Sequence, residues 1–152
     1  MVGLKADAAT FFMYVLGVIA FYEYLEKLLE LNSAIAPNSD ADGLLVTFSN
    51  NISQLFSGLF IPGARMGGWK FMYYIVGSSW ALKFTTMPQL VGEAPVAVPG
   101  VPFPVPISYF AGAVFDAGQG DVWPAFGYLV LITMVLRILS ALALRFINYT
   151  RR

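Results

Sequence analysis

The stretch VWPAFGYLVLITMVLRILSALALRFI, residues 122–147, is a long apolar run whose only charges are Arg137 and Arg145. A helix needs about 20 consecutive apolar residues to cross a bilayer. At about 1.5 Å per residue, this segment is long enough to cross with a tilt. Trp123 and Tyr128 lie near its start, where interfacial anchors are common. We therefore predict a transmembrane helix over residues 122–147.

The composition of the whole chain also indicates a membrane protein. Hydrophobic residues make up 58% of it and charged residues 12%, about half of the roughly 25% that soluble domains carry. The 9 basic and 9 acidic residues cancel, so no positive field is available to attract nucleic acid. The sequence contains no Cys and no His. This excludes disulfides, thiolate and imidazole chemistry, and Cys/His metal sites.

Another helix is predicted over residues 9–33, although only its first half is apolar. Charged residues then follow at i, i+3, i+4 and i+7, a spacing that places them on one helical stripe: Glu23, Glu26, Lys27 and Glu30. Glu23 and Lys27 have the i,i+4 spacing of a favourable ion pair. The stripe either reaches water just beyond the bilayer or lines a polar cavity.

A third helix is predicted over residues 43–61. It follows a turn-forming segment in which Asp40 or Asp42 could cap the helix. The helix has no charge, but polar or small residues recur along one side: Thr47, Asn50, Asn51, Gln54 and Gly58. Amides in hydrocarbon are costly unless they find partners. This side therefore either lines a wet pathway or forms hydrogen bonds with a neighbouring helix.

Residues 62–90 are rich in aromatic side chains and include Lys70 and Lys83. A full crossing would place both lysines in hydrocarbon, so we predict two short interfacial or re-entrant helices, over 68–76 and 78–87. Residues 91–121 hold five closely spaced prolines and are predicted to form an external loop. The predicted fold is an all-α membrane protein with three transmembrane helices, two short interfacial or re-entrant helices and a Pro-rich extracellular loop.

Arginines determine the predicted orientation. Arg145, Arg151 and Arg152 lie at the end of the chain, whereas the loop before the last span has no Lys or Arg. The excess of positive charge on cytoplasmic segments then places the C-terminus in the cytoplasm. Arg137 is the one charge deep in the last span. It either extends toward the cytoplasmic headgroups or pairs with Glu26 or Glu30.

Five short segments carry a family resemblance. They are APN at 36–38, FSGLFIP at 56–62, WKFMYYI at 69–75, SWAL at 79–82 and LRILSALALRFIN at 136–148. Together they resemble the last part of the transmembrane domain of ABC transporters of the G subfamily, particularly the pleiotropic drug resistance type. The resemblance implies that residues 1–152 form part of an ABC-2 type transmembrane domain, with three of its six helices.

The resemblance also implies a function. The helix over 43–61 would line the substrate pathway with Thr47, Asn50, Asn51, Gln54 and Gly58, and Leu59 and Phe60 match an apolar plug at its outer end. The complete protein would be an ATP-driven exporter of amphipathic or lipid-like compounds, multi-pass in the plasma membrane. Its partners would be the lipid bilayer, the other transmembrane half and the nucleotide-binding domains.

No catalytic machinery is predicted in this chain. The sequence has no G-x-x-x-x-G-K-[ST] phosphate loop, so ATP and Mg²⁺ are expected only in the missing nucleotide-binding domain. The chain itself is therefore predicted to be a non-enzyme without cofactor, metal site or nucleic-acid partner. One alternative is a small structural or regulatory membrane protein that packs against a partner. Another is a gene fragment without activity.

Overall fold

The computed structural model describes residues 7–90, 104, 109, 112, 116 and 119–147. Within these residues the regular structure is entirely helical. The α-helices are α1 (Ala8–Ile35), α2 (Ser39–Leu55), α3 (Lys70–Ile75), α4 (Gly77–Leu90) and α5 (Val122–Phe146), with short 3-10 turns at Gly63–Arg65, Gly67–Trp69 and Gln119–Asp121. The all-helical prediction is confirmed for this part of the chain. Most of the predicted loop over 91–121 lies outside the described residues.

Helix α1 continues through its charged stripe, as predicted. Its start is fixed by Asp7, whose Oδ2 accepts hydrogen bonds from the backbone N of Thr10 at 3.2 Å and from its hydroxyl at 2.9 Å. A side chain of this kind satisfies a donor that the first helical turn leaves without a partner. The expected Glu23–Lys27 pair is not formed. Lys27 instead contacts Glu26 at 3.0 Å and Glu30 at 2.9 Å.

Helix α2 begins earlier than predicted. Asn38, rather than Asp40 or Asp42, caps it, and the Asn38 Oδ1 accepts from the N of Ala41 at 2.8 Å. Asp40 and Asp42 lie in the first turn, where their negative charge complements the positive end of the helix dipole. The sequence pattern predicts a later start for α2 because Asn38, Asp40 and Asp42 are polar. In the structure these residues form the cap and the first turn of the helix.

Helix α2 also ends earlier, at Leu55 rather than at residue 61. The Ser57 hydroxyl donates to the Gln54 carbonyl at 2.7 Å and accepts from the N of Leu59 at 3.3 Å, so a side chain replaces the next helical bonds. Gly58 then adopts a φ of +96°, which favours glycine. The apolar character of residues 59–61 predicted a longer helix, but local hydrogen bonding ends it.

Among the residues that the structure describes, two helices are long and apolar enough to cross a membrane, α1 with 28 residues and α5 with 25. The predicted bounds of 9–33 and 122–147 agree with them closely. Helix α2 has 17 residues and would be about 26 Å long, somewhat less than the roughly 30 Å hydrocarbon thickness.

Helices α1 and α4 pack closely and run antiparallel. A Cβ placed on Gly17 would lie 2.6 Å from the Thr85 side chain and 2.7 Å from the ring of Phe84. Seven residues later in α1, the ring of Tyr24 lies against Gly77, at the opposite end of α4. The two glycines thus bring the helix backbones close together at both ends of the contact.

Helix α5 packs against the same α4 surface. The Phe84 ring lies 4.9 Å from that of Phe126, and Trp80 stacks on Tyr128 at 4.6 Å between ring centroids. Residue numbers rise along α5 as they fall along α4, so these helices are antiparallel. Helices α1 and α5 are therefore parallel to each other, with α4 packed against both. Their buried core includes Leu129, which has no exposed surface.

Helices α3 and α4 form a hairpin whose tip, Val76 and Gly77, reaches the level of Tyr24. The chain is extended at Val76, so the carbonyls at the end of α3 lose their helical partners. Side chains from the first turn of α4 donate hydrogen bonds to these carbonyls instead. The Ser79 hydroxyl donates to Tyr73 O at 2.5 Å and Val76 O at 2.7 Å, and the Trp80 indole donates to Tyr74 O at 2.9 Å.

Lys83 is buried in this hairpin, with 3% of its surface exposed. Its ammonium lies 4.4 Å from the ring centroid of Trp80, 4.8 Å from that of Tyr73 and 5.6 Å from that of Tyr74. Aromatic faces attract cations, and this attraction strengthens as water is removed. The three rings therefore offset part of the cost of burying this charge.

The first prediction concerns the glycine at the hairpin tip. A Cβ on Gly77 would lie 2.5 Å from Cε2 of Tyr24 and 2.6 Å from its Cδ2, so Gly77→Ala should destabilise the chain by about 1–3 kcal/mol through overpacking. Gly127→Ala is the matched control, because nothing lies within 4 Å of the position of its added Cβ. Thermal unfolding in detergent measures both. An unchanged midpoint for Gly77→Ala would show that α1 and the hairpin are not in close contact.

The second prediction concerns the ion pair between Lys70 and Asp116, in which Nζ lies 2.6 Å from Oδ2. The Tyr74 hydroxyl also donates to the same Asp116 oxygen, at 3.3 Å. The hydrogen bond from Lys70 lowers the pKa of Asp116 below 3.8, and the same bond raises the pKa of Lys70 above 10.5. The ion pair therefore contributes its full stabilisation of the folded chain between pH 3.8 and pH 10.5. It is lost as the pH falls through the lowered pKa or rises through the raised one.

Thermal unfolding midpoints of the wild type and Asp116→Asn should accordingly differ at neutral pH and converge in acid below pH 3.8. Lys70→Met should lower the midpoint at neutral pH in the same way, and combining both changes should add little. A constant difference from neutral to strongly acidic pH would contradict the ion pair.

Candidate functional site

The polar side chains predicted on one side of α2 divide between two grooves. Thr47 and Asn50 line a groove of about 320 Å³ between α1 and α2. Gln54 lines a second groove, of about 200 Å³, beside α1 and α4. Asn51 lies outside both and is exposed. The structure thus keeps these four residues on the exposed side of one helix but does not bring them together in a single cavity.

Gly58 does not belong to this polar side. Because α2 ends at Leu55, Gly58 is in the turn that follows, buried and in contact with Tyr73. A Cβ there would lie 2.9 Å from the Tyr73 ring. Its role in the structure is to allow the turn and this close approach. The prediction that it continues a helical surface is wrong because it assumed that the helix extends to residue 61.

Leu59 and Phe60, the expected plug, follow the same turn and are both exposed. Leu59 lines the groove that contains Gln54, together with Val18 and Phe21 of α1. Phe60 does not line this groove. The two side chains are therefore apolar surface at the end of α2, and their place in a plug stays a prediction.

The α1–α2 groove contains a buried amide that is only partly satisfied. Asn32 has 7% of its surface exposed, and its Oδ1 accepts from the Ser49 hydroxyl at 3.2 Å. Its Nδ2 has no hydrogen-bond partner among the described residues. Leu25, Leu28 and Leu29 form the apolar wall of the groove. An amide in such surroundings can donate to a bound polar group, since leaving it without a partner costs free energy.

A buried hydrogen-bonded group that the sequence pattern missed joins α1, α2 and the hairpin tip. The Tyr24 and Ser53 hydroxyl oxygens are 3.2 Å apart, and either can donate. The Ser78 hydroxyl donates to the Ser53 carbonyl at 2.6 Å. Tyr24 lies between Glu23 and Leu25 in the charged part of α1, and Ser53 lies on the opposite side of α2 from Asn51. Only the antiparallel arrangement of α1 and α2 brings these groups together.

The intramembrane charges pair differently from the prediction. Glu26 and Glu30 contact Lys27, and Arg137 forms no ion pair with either of them. Lys27 lies on the same helix as both acids and reaches them at i−1 and i+3, so it takes the partners that had been assigned to Arg137. Arg137 instead lines a third groove, between α1 and α5, together with Glu23 and Lys27.

The polar side chains along α2 offer hydrogen-bonding surface. Within residues 7–90 and the described positions after them, no cluster of three or more acidic residues could hold a metal ion. The polar groups along α2 are amides and hydroxyls, which donate and accept hydrogen bonds at neutral pH without exchanging a proton. The arrangement is suited to contacting an amphipathic molecule or a neighbouring helix.

Comparison with known proteins agrees with this description. A family model described as ABC-2 type transporter matches residues 1–90. ABC transporter G family member 52 of Oryza sativa subsp. japonica is 26% identical over the whole chain, and the match covers 11% of that protein. The chain therefore spans about a ninth of the length of this relative. No solved structure matches the chain.

The third prediction tests the contact between α1 and α2. Tyr24→Phe and Ser53→Ala each remove one partner of the buried pair and should each destabilise the chain by about 1 kcal/mol. Their double variant should lose less than the sum, with a coupling of about 0.6 kcal/mol, as is usual between membrane helices. Ser49→Ala combined with Tyr24→Phe is the control and should be additive. Additivity of the first pair would show that the hydroxyls do not interact.

Proposed function

The chain belongs to the ABC-2 type transporter family, and on that premise we propose that it supplies the final helices of the membrane domain of an ATP-driven exporter. Membership makes it a membrane component of a transporter that works with the bilayer and the rest of the transporter. The proposal adds the direction, the substrate class and the part of the pathway that this chain forms. The substrates would be amphipathic or lipid-like compounds.

In this proposal three helices cross the membrane: α1, α2 and α5. Helices α3 and α4 form a re-entrant hairpin near the outer surface, and residues 91–121 form the external loop. The charge distribution supports a cytoplasmic C-terminus, because the arginines cluster there. Helix α2 is short for a span, and the segment from Phe56 to Ile61 would complete the crossing without being helical. A plasma-membrane location follows from the proposed export function.

One observation carries the proposed pathway. Asn50, Asn51 and Gln54 are exposed on a part of α2 that carries no charge, from Gly43 to Leu55, whereas the exposed parts of α5 are almost entirely apolar. A polar helix face in a membrane protein faces water or protein rather than lipid. We place the substrate path along this face, with Thr47 toward one end and the exposed Leu59 and Phe60 toward the other. Substrates with apolar bodies and a few polar groups would match such a lining.

Energy for transport would come from other parts of the transporter. The sequence lacks a phosphate loop, so ATP and Mg²⁺ would bind in nucleotide-binding domains outside this chain. Closure of those domains would draw the transmembrane halves together and move the substrate outward. By this proposal the chain alone hydrolyses no ATP and produces no ATP-dependent flux.

The fourth prediction uses the absence of cysteine in this chain. Single variants Asn50→Cys and Gln54→Cys should react with a membrane-impermeant thiol reagent when the chain is in its native membrane. The control is Phe48→Cys, which is also exposed but lies on nearly the opposite side of α2 from Asn50. An apolar environment that raises a thiol pKa by one unit lowers the thiolate population about tenfold, so the rates should differ by at least about that factor.

A known substrate of the assembled transporter should slow the reaction at Asn50→Cys and Gln54→Cys but not at Phe48→Cys. Equal rates at all three positions would contradict the pathway. Slow labelling at Asn50→Cys and Gln54→Cys that substrate does not change would instead favour the alternative, a structural or regulatory membrane protein whose α2 packs against a partner. ATP-dependent flux by the chain alone would contradict the assignment of ATP hydrolysis to other domains.

A further inference from the structure

The groove between α1 and α5 has a volume of about 290 Å³ and is largely apolar along its length. Leu16 and Ile19 form its α1 wall, and Phe126, Val130 and Met134 form its α5 wall. These residues recur at intervals of three and four, so each wall is one continuous helix face. The groove is open to one side, and its shape is that of a channel along the helices rather than a closed cavity.

The groove has an apolar end and a charged end. Because α1 and α5 are parallel, residues with higher numbers lie at the same end on both walls. Lys27 and Arg137 are the last lining residues on their helices, and Glu23 is about 6 Å before Lys27 along the helix axis. The charges are therefore concentrated at one end, as the headgroup and acyl chain of a lipid are.

Two of these charges, of opposite sign, have no partner within the part of the chain that the structure describes. Lys27 is engaged by Glu26 and Glu30. Neither Glu23 nor Arg137 forms an ion pair or a hydrogen bond with any residue that the structure describes. Unpaired charges within a membrane span are costly and usually contact a partner of opposite charge. A molecule that covers both residues must offer an anion to Arg137 and a cation to Glu23.

We propose that this groove binds a zwitterionic phospholipid with a primary amine, that is, a phosphatidylethanolamine-type lipid. The phosphate would contact the guanidinium of Arg137, whose planar donors suit phosphate oxygens. The ammonium would donate to the carboxylate of Glu23, and one acyl chain would lie along Leu16, Ile19 and Val130. With the cytoplasmic C-terminus proposed above, the headgroup end faces the inner leaflet.

Charge and hydrogen bonding distinguish this lipid from others. A purely anionic headgroup would bring negative charge close to Glu23, with Glu26 one turn and Glu30 two turns further along α1. A choline headgroup carries the required positive charge but has no N–H to donate to a carboxylate. A headgroup that combines a phosphate with a primary ammonium, and carries no further negative charge, satisfies both side chains. A charge-assisted hydrogen bond of this kind corresponds to about a tenfold preference over choline.

Native mass spectrometry of the full chain in detergent can measure this preference. Ethanolamine, choline and glycerol phospholipids with identical acyl chains would be compared by the fraction of protein that retains lipid. The wild type should bind the ethanolamine lipid about tenfold more tightly than the other two. Soluble glycerophosphoethanolamine, which lacks acyl chains, should not compete, because the apolar walls contribute to binding.

Variants identify the residues involved. Glu23→Gln should remove the preference for ethanolamine over choline while retaining binding, and Arg137→Gln should weaken binding of both lipids. Glu26→Gln and Arg145→Gln are the matched controls and should leave the preference unchanged, because neither residue lines the groove. Equal retention of ethanolamine and choline lipids by the wild type would overturn the proposal. An undiminished preference in Glu23→Gln would overturn it as well, since the selectivity would then arise elsewhere.

Discussion

The break between α3 and α4 imposes the constraint on which much of the structure depends. A non-helical segment within a membrane domain exposes backbone carbonyls that have no water to accept from, so the protein must satisfy them itself. Ser79 and Trp80 do this for the end of α3, and Ser78 extends the bonding to α2 through the Ser53 carbonyl. Once those bonds are formed, a single hydrogen bond from Ser78 joins the hairpin tip to α2, and Gly77 has to be small because Tyr24 occupies the adjacent space.

The same hairpin packs against both α1 and α5, which also contact each other directly along their length. Aromatic side chains of α4 contact both helices, with Phe84 facing Gly17 on one side and Phe126 on the other. Lipid tails are as apolar as these rings, so in a membrane domain the contacts are stabilised by close packing and dispersion rather than by removal of apolar area from water. Lys83 belongs to this arrangement because its three aromatic neighbours replace part of the hydration that it loses. The hairpin is thus a core element, although its sequence is only moderately apolar.

The helices themselves could be predicted because their signals are local. Hydropathy predicts α5, and helical spacing predicts that α1 continues through its charged residues. Lys70 and Lys83 make a full crossing by residues 62–90 unfavourable. The errors arose where a side chain competes with the backbone or where two helices must first be aligned. Ser57 ends α2 through a hydrogen bond that hydropathy does not register. The partners of Lys27 depend on its side-chain conformation, which spacing along the helix does not determine. The Tyr24–Ser53 contact depends on the antiparallel register of α1 and α2. Helical spacing predicts that Thr47, Asn50, Asn51 and Gln54 share one side of α2, but the grooves that divide them form only when three helices are in place.

Helix α2 is attached to α1 in a way that has a mechanical consequence. Its specific contacts with α1 are separate polar pairs, Ser53 with Tyr24, Ser49 with Asn32 and Asp42 with Ser33. Helices α1, α4 and α5, in contrast, interlock through rings and glycines that leave little freedom to slide. Polar pairs can exchange partners one at a time, whereas interlocked rings resist any displacement that would open a void. Shear between α2 and the three-helix core is therefore the softest deformation of this chain, and a small sliding step would change the width of both grooves beside α2 at once.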